Sequence, residues 1–99
     1  MTSLGHLTEL YHGLHPAAPQ AECQRLEWRV HVPRTDRIRV RKHTCACRTV
    51  VYELCQAGGL AFVRELYREG DVTRQRESAW LLTAEGLHLW EAILSGCAR

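Results

Sequence analysis

The sequence predicts an α+β domain: an antiparallel β-meander of about five strands, covered by a C-terminal amphipathic helix and preceded by a short N-terminal helix. Residues 26–80 alternate apolar and polar side chains in runs of strand length. Gly58-Gly59 and Arg68-Glu69-Gly70-Asp71 set reversals between runs. Residues 83–96 switch to helical spacing. At 99 residues this is a single domain, 1–99, with one modest core. A homodimer is the expected way to add buried area.

Leu4, Leu7, Tyr11 and Leu14 recur at helical spacing, with Thr2 or Ser3 to cap a short helix and Gly13 to end it. The Pro- and Ala-rich residues 15–20 read as a linker, so residues 1–20 form the N-terminal helix and linker. Leu26, Trp28, Val30 and Val32 alternate with Glu27, Arg29 and His31, giving a first strand. Pro33-Arg34-Thr35-Asp36 reads as a turn. Ile38 and Val40 alternate with Arg37, Arg39 and Arg41 in a second strand, expected to form a hairpin with the first. Residues 50–55 and 60–67 follow as two strands, the second with apolar residues on both faces. Residues 72–80 are polar enough to expect an edge. Thr83 is the expected N-cap of the last helix, Leu87, Leu89, Trp90, Ile93 and Leu94 its apolar stripe, and Gly96 its terminus. Trp80 is expected to meet Trp90, and Trp80, Leu87, Trp90 and Leu94 are the candidate dimer or partner face.

Charge is unevenly spread. Residues 25–48 carry eight basic side chains against Glu27 and Asp36, whereas the flanking segments are each net acidic. An anionic partner is therefore expected at Arg29, Arg34, Arg37, Arg39, Arg41, Lys42 and Arg48. Arginines along one strand face suit successive phosphates, and a two-stranded ribbon suits a groove. An acidic protein surface would serve equally. The plainer alternative is a solvated face neutralised across the sheet by Glu27 or Glu53.

The five cysteines, Cys23, Cys45, Cys47, Cys55 and Cys97, are an odd number and show no secretory leader before them, so reduced thiols are expected. His43, Cys45 and Cys47, with Cys55 or Cys23 added, are the candidate zinc ligands. Alternate side chains of an extended strand stand about 7 Å apart, so zinc requires this stretch to bend. Cys45 and Cys47 beside Arg48 and His43 also suggest a lowered thiol pKa. No Ser–His–Asp order, glycine-rich phosphate loop or carboxylate pair stands out, so no enzyme is expected. No apolar run approaches a membrane span, and a cytoplasmic location follows as the expectation.

Leu82-Thr83-Ala84-Glu85-Gly86 resembles the closing helix of bacterial winged-helix regulators, although residues 49–57 suit a strand better than the recognition helix that fold needs. Tyr52-Glu53-Leu54-Cys55-x-Ala57-Gly58-Gly59-x-x-Phe62-x-Arg64, then Ala79-Trp80-Leu81-x-Thr83 and Leu89-Trp90-x-x-x-Leu94-x-Gly96, resembles the BldB-type developmental regulators of actinomycetes. Twelve arginines, one lysine and no asparagine fit the GC-rich coding of such genomes. The resemblance implies a small, dimeric, transcription-associated regulatory protein with no catalytic residues. The alternatives are a protein–protein adaptor that does not bind nucleic acid, or a small zinc-binding domain.

Overall fold

A computed structural model describes residues 13–99. Apart from its terminal Gly13, the helix expected over residues 3–13 falls outside the described residues. Among the described residues the architecture is α+β: one antiparallel six-stranded sheet and one C-terminal helix. The strands are β1 (Arg29–Val30), β2 (Arg39–His43), β3 (Val50–Ala57), β4 (Leu60–Glu69), β5 (Val72–Glu77) and β6 (Leu81–Leu82), followed by helix α1 (Thr83–Leu94). Sheet order is β1-β5-β4-β3-β2, with β6 paired to β4. Among the described residues no helix is long and apolar enough to cross a membrane.

The meander β3-β4-β5 is the centre, and its turns are set by glycine. Gly58 (φ +59°) and Gly70 (φ +62°) each open a two-residue reversal, closed by the pairs Ala57–Leu60 and Glu69–Val72. Register then sorts the side chains. Tyr52, Leu54, Ala61 and Val63 face α1 and bury against Trp90, Ile93 and Ala98, with Trp28, Val50 and Leu89 at the margins. Gly86 lets the helix come close: a Cβ there would stand 2.6 Å from Ala61 Cβ. The opposite face carries Val51, Cys55 and Phe62, which are also buried. Two-sided burial of β4 agrees with its apolar residues at both parities.

The expected hairpin between the first two strands does not form. Arg29 and Val30 pair with Glu77 and Arg76 at one edge of the sheet, whereas β2 pairs with β3 at the other. Four strand spacings, roughly 19 Å, separate them. Residues 31–38 are long enough to span that width, at about 3.3 Å per residue. They run over the face away from the helix, where Glu77 is fully buried. Its carboxylate pairs with His31 Nδ1 at 3.0 Å and accepts from Trp80 Nε1 at 3.0 Å. Trp80 stacks on Phe62, ring centroids 4.4 Å apart, and Arg34 lies over the Trp80 ring. This strap covers the second face in place of a helix. It also places Trp80 across the sheet from Trp90, so the expected meeting of the two indoles is not found.

Two further expectations are corrected. Thr83 is the first residue of α1 rather than its cap; Leu82 occupies the cap position, and the Thr83 hydroxyl donates to the Gly59 carbonyl. Residues 15–20 do not run free as a linker. Ala17 N–H donates to Leu94 O and Gln20 N–H to Gly96 O, satisfying carbonyls at the helix end. Gly96 (φ +82°) terminates the helix as expected. Because residues 50–57 form β3, the recognition helix of a winged-helix fold has no place here.

Candidate functional site

Two populations stand out among the basic residues. In β4 and β5 each arginine has a partner within the chain. Arg64 Nε donates to Glu53 at 2.8 Å, Arg76 binds Glu65 through two nitrogens, and Arg74 pairs with Glu69 at 3.2 Å. Arg68 donates to the carbonyls of Ala46 and Arg48. Glu53, one of the carboxylates able to neutralise the row on β2, is thus committed to Arg64.

The second population lies on and beside β2. All five residues of that strand are exposed, and its outer edge pairs with no other strand among the described residues. No ion pair of the described residues involves Arg37, Arg39, Arg41, Lys42 or Arg48. The even row drawn from alternation is interrupted, however. Val40 lies opposite Cys55 and Lys42 opposite Leu54, so Arg41 is the extra residue of a β-bulge. Its Nε donates to Gln56 Oε1 at 2.8 Å. Arg39, opposite Gln56, and Lys42 therefore lie on the sheet face that carries α1. Val40 is on the other face and 42 % exposed, so it is not the inward anchor expected of it.

Two members of the predicted basic site are elsewhere. Arg29 belongs to β1 at the opposite sheet edge. Arg34 is 3.6 Å from Glu77 and stacks on Trp80, so it serves the strap. Of the predicted partner face, Trp90 is 1 % exposed and committed to the core, Trp80 is half-buried beneath Arg34, and Leu94 packs against the core. Leu87 alone of the four is exposed, at 43 %.

Thiol chemistry concentrates after β2, where the chain bends. Thr44 is buried, donates its N–H to the Tyr52 carbonyl and accepts from Tyr52 N–H through its hydroxyl. Leu14 forms a parallel bridge with Thr44, and Cys45 N–H donates to Leu14 O at 2.7 Å. This bridge delivers the next residue, His15, to the turn. His15 Nε2 is 3.1 Å from Cys47 Sγ, and the ligand atoms of His15, Cys45 and Cys47 all lie within 4.8 Å of one another. The bend that a metal would need in this stretch is present.

The other predicted ligands, His43, Cys55 and Cys23, are not in this group. His43 Nδ1 contacts the Thr44 carbonyl, and its side chain is in register with Glu53 on β3. Cys55 is buried against the second face, where desolvation pushes its thiol up to about 11. Nor is the Cys47 thiol lowered as expected. Its hydrogen bond with Cys45 raises it, burial and the Cys45 charge add to that, and Arg48 opposes them.

His15 escaped the sequence reading because its nearest ligand partner, Cys45, is thirty positions away. The only signal was its place in a stretch rich in histidine. His31 and Glu77 were likewise unrelated in sequence. No protein-family model matches the chain, nor does any curated protein or solved structure.

Proposed function

We propose that this chain is a small, non-enzymatic, regulatory binding module whose site is the open β2 edge. The observation that carries the reading is the contrast in charge pairing. Arginines of the central strands are matched internally, whereas Arg39, Arg41 and Lys42 stand on an exposed edge, with Arg37 just before it, and none of the four is in an ion pair among the described residues. The edge favours an acidic protein segment. Such a segment adds main-chain hydrogen bonds along β2 and meets the cations with its carboxylates. The bulge and the like charges on β2 also oppose pairing with a second copy of the same edge, which gives selectivity for an acidic strand.

Nucleic acid is the second reading, favoured by the solvent-facing guanidinium groups, which suit phosphates bidentately. Loss of the hairpin removes the two-stranded ribbon through which a groove would be entered. Resemblance to BldB-type regulators supplies the transcription-associated setting for either partner. A homodimer would rest on the exposed Leu82 and Leu87 rather than on the buried Trp90.

The test is fluorescence anisotropy of the full chain with a labelled acidic peptide and, separately, with a labelled DNA duplex. Replacing Arg39, Arg41 and Lys42 together by alanine alters exposed positions only and is expected to abolish peptide binding while circular dichroism is unchanged. Salt is expected to weaken binding to either ligand, more steeply for DNA. Binding that survives the triple substitution removes β2 as the site.

A further inference from the structure

We infer that the chain holds one thiophilic d¹⁰ metal ion, Zn²⁺ or Cu⁺, between Cys45, Cys47 and His15. Two thiolates and an imidazole are the donor set such ions select. Two sulfurs at 2.3 Å from one zinc stand about 3.8 Å apart at a tetrahedral angle. The observed ligand atoms, all within 4.8 Å of one another, need only a small closing movement.

The scaffold beneath them is fixed independently of any ion. Thr44 is locked to Tyr52 by backbone and hydroxyl hydrogen bonds. Arg68 reaches across from β4 to the carbonyls of Ala46 and Arg48, on either side of Cys47. The Leu14–Thr44 bridge and the Cys45–Leu14 hydrogen bond bring the His15 backbone alongside. Ligands from two distant segments are thus held by groups that are not ligands themselves, which is how a built site differs from a chance cluster.

Binding replaces the thiol protons, which pass to solvent, and the neutral imidazole coordinates through Nε2. His15 and Cys47 are both exposed, so an ion can reach these ligands from solution. The ion would tie the segment at residues 13–15 to the β2–β3 turn, beside the basic edge. This inference does not depend on that edge binding anything.

The experiment uses the reduced full chain and Co²⁺ as a spectroscopic stand-in for Zn²⁺, with Cu⁺ competed against a chromophoric chelator in a second arm. One equivalent of Co²⁺ is expected to produce thiolate charge-transfer absorption in the near ultraviolet, removed by adding Zn²⁺. Cys47→Ser and Cys45→Ser are expected to abolish that band. His15→Ala is expected to weaken binding at least tenfold. Cys55→Ser, Cys97→Ser and His43→Gln are expected to bind as the parent does. Cys47 and His15 are exposed, so their variants are expected to keep the circular dichroism of the parent. The inference is overturned if neither metal binds stoichiometrically, by a charge-transfer band that survives Cys47→Ser, or by dependence on His43 or Cys55 instead. A Cu⁺ complex without a Zn²⁺ complex supports the site and identifies its metal.

Discussion

Replacing Glu77 by alanine removes the acceptor on which the strap across the second sheet face depends. The carboxylate is fully buried, accepts from Trp80 Nε1 at 3.0 Å and pairs with His31 Nδ1 at 3.0 Å. Arg34, at 3.6 Å and with nearly half its side chain exposed, adds little. Truncation leaves the indole N–H and the imidazole without their acceptor. An orphaned buried donor costs about 1–3 kcal/mol. Two donors lose their acceptor here, so about 2–5 kcal/mol is expected in total. Domains of this kind have roughly 5–15 kcal/mol to begin with. Each kcal/mol moves the Tm of a domain this size by about 4–8 °C, giving a fall on the order of 20 °C. Glu77→Gln keeps an acceptor for Trp80 and is expected to lose about half as much. Thermal and urea unfolding, followed by circular dichroism and tryptophan fluorescence, measure both variants. A Glu77→Ala midpoint within about 3 °C of the parent, near 0.5 kcal/mol by the same scale, refutes the anchoring role.

Three other outcomes follow from the same packing. Gly86→Ala places a methyl 2.6 Å from Ala61 Cβ, so the gain in helix propensity is outweighed and stability falls by about 1–2 kcal/mol in urea unfolding. Gly96→Ala combines a positive φ with a Cβ only 2.3 Å from the Ala18 carbonyl oxygen; it is expected to cost at least about 2 kcal/mol and to raise hydrogen exchange in residues 17–20. At Cys55, burial raises the folded pKa from the ordinary 9.0 to about 11. Above pH 9 the unfolded thiol loses its proton while the folded one keeps it, so stability from this group falls as pH rises from 9 to about 11. Comparison of the parent with Cys55→Ala across that window is expected to show the parent's advantage shrinking by about 2 kcal/mol, and iodoacetamide at pH 8 is expected to label Cys47 and Cys97 well before Cys55.

Local chemistry alone determined the meander and its helix. Gly58 and Gly70 fix reversals that depend on backbone freedom at one residue, and the stripe through Trp90 and Ile93 has a period that one helix face can bury. Apolar residues at both parities of residues 60–67 also announced that both faces of β4 would be covered. The edge each outer strand joined was misread as a shared hairpin, because β1 and β2 are short and their pairing is set by long-range register rather than by a tight turn. Residues 33–36 read as a turn by composition, yet they belong to the strap, which a buried Glu77 and a stacked Trp80 hold across the sheet. The bulge at Arg41 was equally invisible, since an extra residue leaves the sequence pattern intact and changes only its facing. For the thiol cluster, Cys45 and Cys47 were legible as donors, but the third came from a parallel bridge at Leu14 that brings His15 across thirty residues of chain. Contacts between residues near in sequence follow from propensity and period; contacts between distant ones follow from which surfaces are left to bury, and the folded chain decides that as a whole.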